Sequence, residues 1–278
     1  MNSTRRAGIN DRAQAAGRDA LVERVAELLT GDAPRSVVLR GPAGIGKSHV
    51  ADRVFELIGS TAPDVAVRRV FAGEAQQSLD FGALLHLLPL DAPPVGAEFE
   101  LVQRLRQGLV EQATRTVVSI DDVGMLDRKS AAVIEGLVRA GDITVLVTER
   151  TAPDGDREED HHLTGTLRDV ADQVVVEPLG VDDLTSLLVE WAGSGEVGSL
   201  RRLAAMSEGN PLALRELLAS ARASSSISER AGLWYLSDFV PGGRSLEQLV
   251  ASHLRRLSQP EWDLLRTIAI AGTVPRNV

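Results

Sequence analysis

The feature that most constrains this chain is a glycine-rich turn set directly after a short apolar run. Val37, Val38 and Leu39 lead into Gly41, Pro42, Ala43, Gly44, Ile45, Gly46, Lys47 and Ser48, which is the phosphate-loop pattern G-x-x-x-x-G-K-[ST]. The glycines let the backbone curl so that its N–H groups converge, and the helix that opens near Lys47 and runs on through His49 aims its positive end at the same point. A polyphosphate is therefore expected to be held mainly by main chain. Lys47 is placed to bridge the β and γ phosphates, and Ser48 to give its hydroxyl to Mg²⁺.

Composition sharpens this reading. Of 30 Lys plus Arg, only Lys47 and Lys129 are lysines. A compact ammonium fits inside a ring of backbone amides where a planar guanidinium does not. The net charge of −9 speaks against non-specific attraction to a nucleic-acid backbone, and the absence of cysteine removes disulfide and thiolate chemistry. No run approaches membrane-spanning length and the amino terminus has no apolar signal core, so a cytoplasmic protein with no membrane partner is expected.

Along the chain, residues 1–16 are polar and without apolar periodicity, and read as a mobile tail. Leu21, Val22, Val25, Leu28 and Leu29 mark an amphipathic helix that stops at Gly31. Strands are expected at 36–40, 65–71, 116–120, 143–148 and 174–177. Helices are expected from the loop to Ile58 and over 81–88, 98–113 and 128–140. Strands alternating with helices predict a five-stranded parallel α/β sheet with helices on both faces. After Pro178 only helices are expected, over 181–191, 200–206 and 211–218, with a Ser-, Ala- and Arg-rich linker beginning near residue 223 and amphipathic segments over 246–257 and 260–271.

Asp121 and Asp122 form the second informative site. Taken alone, two acids after a strand read as a turn or helix cap. Beside a phosphate loop they supply what Mg²⁺-ATP chemistry needs, Asp121 holding the metal through water and Asp122 orienting or deprotonating an attacking water. Arg150, at the carboxyl end of the next strand, is either a γ-phosphate sensor or a surface arginine. His161 and His162 follow a charged stretch over 152–160, and adjacent residues in an acidic loop make a poor ligand set.

These pieces together resemble the STAND class of P-loop ATPases, and within it the ATPase region of large LuxR-type (MalT-like) bacterial regulators. Gly17-Arg18-Asp19 resembles the entry motif of that region, GPAGIGKS its Walker A and VVSIDDVGMLD its Walker B. FGALLHLL resembles a segment after the second strand, LVTER the sensor strand and EGNPLALREL the GxP motif. LVASHLRRLSQPEWDLLRTIAIAG resembles the opening of the following winged helix. The resemblance implies an ASCE/AAA-like nucleotide-binding domain over 17–178, a helical lid over 179–222, a linker over 223–245 and the start of a winged helix over 246–278. It further implies ATP or ADP with Mg²⁺ at Lys47, Ser48, Asp121, Arg150 and Pro211, and Arg18 or Asp19 near the base.

The winged-helix histidine of that class is not identifiable, nor are a repeat sensor array or a DNA-binding helix-turn-helix. Read this way, the chain is an excised core or a short relative, and DNA binding belongs to domains outside it. The first reading is a slowly hydrolysing nucleotide switch of unknown inducer, forming a homo-oligomer in its ATP state. The alternatives are a small-molecule P-loop kinase and a DNA-acting AAA-type ATPase. Asp122 beside the metal acid favours water over another acceptor as nucleophile.

Overall fold

The computed structural model describes residues 18–88, 98–110, 115–151 and 162–237. The first unit runs α1 (Asp19–Thr30), β1 (Ser36–Gly41), α2 (Lys47–Thr61), β2 (Val65–Val70), the short α3 (Glu74–Gln77), α4 (Glu98–Val110), β3 (Arg115–Ile120), α5 (Arg128–Ala140), β4 (Thr144–Arg150), α6 (His162–Val170) and β5 (Ala171–Val175). The five strands form one parallel sheet in the order β2-β3-β4-β1-β5. Because β4 lies between β1 and β3, the carboxyl ends of those three strands stand side by side.

Strand alternation explains the two-faced core. Val37 and Leu39 of β1 turn to one face with Leu146 and Val174, where they meet Val22, Val25 and Leu29 of α1 and Val50, Val54 and Ile58 of α2. Val38, Val118, Ile120, Val145 and Val147 turn to the other, against Leu105 and Leu109 of α4, Ile134 and Leu137 of α5 and Leu163 and Leu167 of α6. Each fully buried side chain of this kind contributes about 1.5–3 kcal/mol. A sheet covered on both faces accounts for the near-continuous apolar strands.

The second unit is smaller: α7 (Val181–Ala192), α8 (Val197–Met206), α9 (Pro211–Ala223) and an antiparallel hairpin, β6 (Ile227–Arg230) with β7 (Leu233–Leu236). Its own core gathers Leu184, Leu187 and Leu188, Leu200 and Leu203, Leu214, Leu217 and Leu218, and Trp234 from the hairpin.

Several expectations are corrected. The segment 81–88 is not a helix but a turn followed by one turn of 3₁₀ helix, Leu85–Leu87. Phe81 stands in left-handed backbone conformation (φ 60°), outside the helical region, and buried Asp127 holds that turn by accepting from the Phe81 and Ala83 N–H groups at 3.0 and 3.1 Å. The polar turn before it contains α3. The fifth strand is Ala171–Val175 rather than 174–177. It is an edge strand paired only with β1, so its opening residues Ala171 and Asp172 need not be strongly apolar. Helix α6 precedes it, where no element was expected.

Residues 223–237 do not form a linker. Helix α9 runs to Ala223 and the hairpin follows, turned by Ala231 (φ 51°) and Gly232 (φ 75°), so the second unit is not helices alone. A two-residue turn with both φ values positive suits the right-handed strand twist, and Trp234 ties the hairpin down by donating to the Gly193 carbonyl at 3.0 Å. The expected tail over 1–16, the loop expected over 152–162 except its last residue, His162, which opens α6 instead, and the winged-helix start over 246–278 lie outside the described residues.

Candidate nucleotide site

The loop after β1 closes over a small number of anchors. Ile45, 1% exposed, inserts into the core between sheet, α1 and α2 and holds the loop's midpoint. Gly44 and Gly46 take φ values of 76° and 101°, the left-handed region where a side chain is strained. Space forbids a side chain as well. A Cβ on Gly44 would meet the Leu212 side chain at 2.6 Å, and one on Gly46 would collide with the Arg18 guanidinium. Pro42 and Ala43 are exposed, and His49 lies half-buried in the first turn of α2.

Lys47 is buried at the start of α2, and its Nζ donates to the carbonyls of Gly41 and Pro42 at 2.8 and 3.0 Å. The ammonium is thus laid across the loop it serves. Burial, and after it the Arg150 cation, hold its pKa below the ordinary lysine range, while Asp122 and Asp121 act in the opposite direction. An anion received by the loop would relieve the same desolvation.

At the end of β3, Ser48 Oγ donates to Asp121 Oδ1 at 2.8 Å, joining the two residues expected to face a metal. Thr148 of β4, 2% exposed, donates to the same oxygen at 2.7 Å. Its Oγ1 also accepts from the Asp122 N–H at 2.8 Å. Asp122 stands in left-handed backbone conformation (φ 57°, ψ 73°), which Asp tolerates at a cost of about 1 kcal/mol and which concentrates at functional positions. Its Oδ2 pairs with Arg150 at 2.8 Å. Arg150 is therefore not an unattached loop arginine. The end of β4 carries it to the acid pair.

Of the two candidates at the entry to α1, only Arg18 reaches the loop. Its guanidinium, 6% exposed, donates to the Ile45 carbonyl at 2.6 Å and to the Glu177 carbonyl at 3.3 Å. Burial lowers its pKa and Asp183 partly restores it. Asp19 turns away and pairs with Arg53 of α2 at 3.3 Å.

On the opposite side, α9 points its amino end at the loop. Asn210 caps that helix by accepting from Leu212 N and Ala213 N at 3.0 and 3.2 Å, and with its other amide atom donates to the Ala43 carbonyl at 2.9 Å. Leu212 N also approaches the Gly44 carbonyl at 3.4 Å. Pro211, buried in the first turn of α9, follows directly. Sequence reasoning gave no role to Thr148, and quoted Asn210 only as part of a motif. An Asn directly before Pro at a helix start is a capping signal that could have revealed the latter, whereas a Thr in an apolar strand carries none.

Residues 14–148 match the model of the AAA ATPase domain. That stretch is therefore similar to AAA-type P-loop ATPase domains. Over 145 residues the chain is 30% identical to the chaperone protein ClpB of Tropheryma whipplei, a match spanning 51% of this chain and 19% of ClpB. The fold is similar to that of Orc1 from Aeropyrum pernix, solved in complex with DNA (TM-score 0.56, 16% identity, 91% of this chain and 72% of that one). It is also similar to Cdc6p from Pyrobaculum aerophilum (TM-score 0.54, 16% identity, 76% and 62%).

The residues present fit a magnesium nucleotide. A hydroxyl and a carboxylate oxygen stand 2.8 Å apart, an ammonium crosses the loop, and a helix amino end faces it. No helix among the described residues is long and apolar enough to cross a membrane.

Proposed function

We propose that the chain is the ATP-controlled switch module of a signal transduction ATPase, of the kind carried by LuxR-type transcriptional regulators. The observation that carries this reading is the hydrogen bond from Asn210 to the Ala43 carbonyl, which joins the lid helix to the phosphate loop. A change in the loop has a direct route to the lid, which is what a switch requires.

ATP would supply the transferable phosphoryl group and Mg²⁺ would offset its charge. Ser48 and Asp121 would hold the metal, partly through water. Lys47 and the loop N–H groups would bind the phosphates, and Pro211 and Arg18 would border the base. Asp122 would orient the attacking water, with Lys47 and Arg150 meeting the charge that develops. Turnover would be slow, homo-oligomers would form in the ATP state, and any DNA contact would belong to domains outside residues 18–237.

Calorimetry with ATP and ADP, combined with a phosphate-release assay, tests this. Wild-type protein should bind both nucleotides, and Asp122→Asn should keep ATP affinity while slowing hydrolysis by about 100-fold. Undiminished turnover would remove Asp122 from the role.

A DNA-acting AAA-type ATPase is the second reading, favoured by the fold likeness to Orc1 over 91% of the chain. It predicts hydrolysis stimulated by duplex DNA with a steep salt dependence. The net charge of −9 weighs against it.

A further inference from the structure

We infer that the cavity between the β6–β7 hairpin and the ends of α7 and α9 is an effector site for a small zwitterion of the α-amino-acid class, and that α9 carries its occupancy to the phosphate loop. The site itself stands on the second unit alone. The coupling rests on the switch reading above and gives that switch a class of inducer.

The cavity holds about 330 Å³ and is lined by Ala192, Gly193, Arg222, Ile227, Glu229 and Trp234 among others. That lies at the small end of the range for ligand pockets, the size of a metabolite rather than of a peptide. Its wall is fixed in place. Trp234, 5% exposed, donates through Nε1 to the Gly193 carbonyl at 3.0 Å and through its backbone N–H to the Ser194 carbonyl at 3.2 Å, and its carbonyl accepts from the Glu196 N–H at 2.9 Å. Its indole covers Gly195, where a Cβ would collide with the ring at 2.5 Å. Above Gly193 the space is open, and a Cβ there would meet nothing within 4 Å. A wall held this way has little left to order when a ligand arrives.

Charge gives the class of ligand. Arg222 stands in the last turn of α9 and Glu229 on β6, both exposed, and neither side chain has a hydrogen-bond or ion-pair partner among the described residues. A cation at the end of a helix answers the helix dipole. That leaves unexplained an opposite charge lining the same cavity without pairing to it. A guanidinium and a carboxylate kept apart beside apolar Ala192, Ile227 and Trp234 suit a small molecule with a carboxylate, an ammonium and an apolar body. A plain anion would meet Glu229, and a plain amine would meet Arg222.

Position gives the consequence. Helix α9 spans 13 residues, about 18 Å, from the Asn210 cap that donates to the Ala43 carbonyl to the turn that lines the cavity. A ligand bridging Arg222 and Glu229 draws the hairpin toward the carboxyl end of one rigid helix whose amino end bears on the phosphate loop.

The experiment is calorimetry on the full chain, titrated with each of the standard amino acids, first without nucleotide and then with ADP or ATP. One or more should bind. Removing either the amino or the carboxylate group of that ligand, or substituting Arg222→Ala or Glu229→Gln, should weaken binding by about 10-fold or more. The analogues are tested on wild-type protein, so they decide the matter even where a variant does not fold. Affinity for the amino acid should differ by about 5-fold or more between the ADP and ATP states, and the amino acid should shift nucleotide affinity by the same factor.

The site is refuted if no amino acid binds, or if the deaminated acid or the decarboxylated amine binds as well as the parent. It is refuted equally if both folded variants keep wild-type affinity. Equal affinity in the ADP and ATP states overturns the coupling through α9. A protein that binds the amino acid but no nucleotide upholds the site and defeats the switch reading, so the two failures are told apart.

Discussion

On the sheet side of the site, Ser48, Asp121, Thr148 and the Asp122 backbone form an unbroken run of hydrogen bonds between 2.7 and 2.8 Å, borne on the ends of β3 and β4 and the start of α2. On the lid side, the loop meets α9 through one amide side chain at 2.9 Å and one backbone approach at 3.4 Å. The sheet side hangs from strands buried on both faces. The lid side belongs to a unit with a separate core. The difference teaches how one pocket can be exact where bonds are made and broken yet yielding where a signal leaves. Rigid strands hold the reacting groups, and a contact light enough to be exchanged reports their state.

Lys47→Ala strikes the element both sides share, and should produce the largest effect. Nucleotide affinity measured by calorimetry should fall by about 100-fold or more, roughly 2.7 kcal/mol. Unchanged affinity would break the comparison at its root, since neither side would then face a phosphate.

Arg150→Ala acts on the sheet side alone. It removes a charge that pairs with Asp122 and lies near Lys47. ATP affinity should weaken by about 10-fold relative to ADP, near 1.4 kcal/mol. Equal losses for the two nucleotides would show that Arg150 senses no terminal phosphate.

Asn210→Ala acts on the lid side and should be the mildest. Loss of the helix cap costs about 1 kcal/mol, read as a drop of roughly 2–4 °C in Tm. The sharper result concerns coupling. Protease protection of the lid by ATP should decline while ATP affinity changes little. If protection is retained, the bond from Asn210 to Ala43 is not the route.

The parts of this design that could be read from the sequence were those in which a backbone needs a particular residue type. Gly44 and Gly46 are dictated by positive φ and by close neighbours, Lys47 by a narrow cradle, and the strands by apolar runs covered on both sides. Helix α5 was legible to the residue because Asp127 caps it and Gly141 ends it.

What escaped had ambiguous local signals. Thr148 is a β-branched residue in a strand, indistinguishable from packing until β4 is known to lie beside Asp121. The hairpin β6–β7 turns on Ala231-Gly232, a weaker signal than Asn-Gly, and follows a serine-rich stretch that suggests a linker. Edge strand β5 begins with Ala171 and Asp172, so its apolar end alone was visible and its start was placed late.

Arg18 has a practical consequence for how the molecule can be cut. One buried guanidinium joins the Ile45 carbonyl in the phosphate loop to the Glu177 carbonyl in the connection between the two units. It stands at the very entry to α1, so a fragment trimmed to start at Asp19 would keep every strand and every acid of the site and still lose the brace that ties loop to connector. The useful amino-terminal boundary of a minimal fragment is therefore set by this side chain, ahead of the first helix, rather than by where regular secondary structure begins.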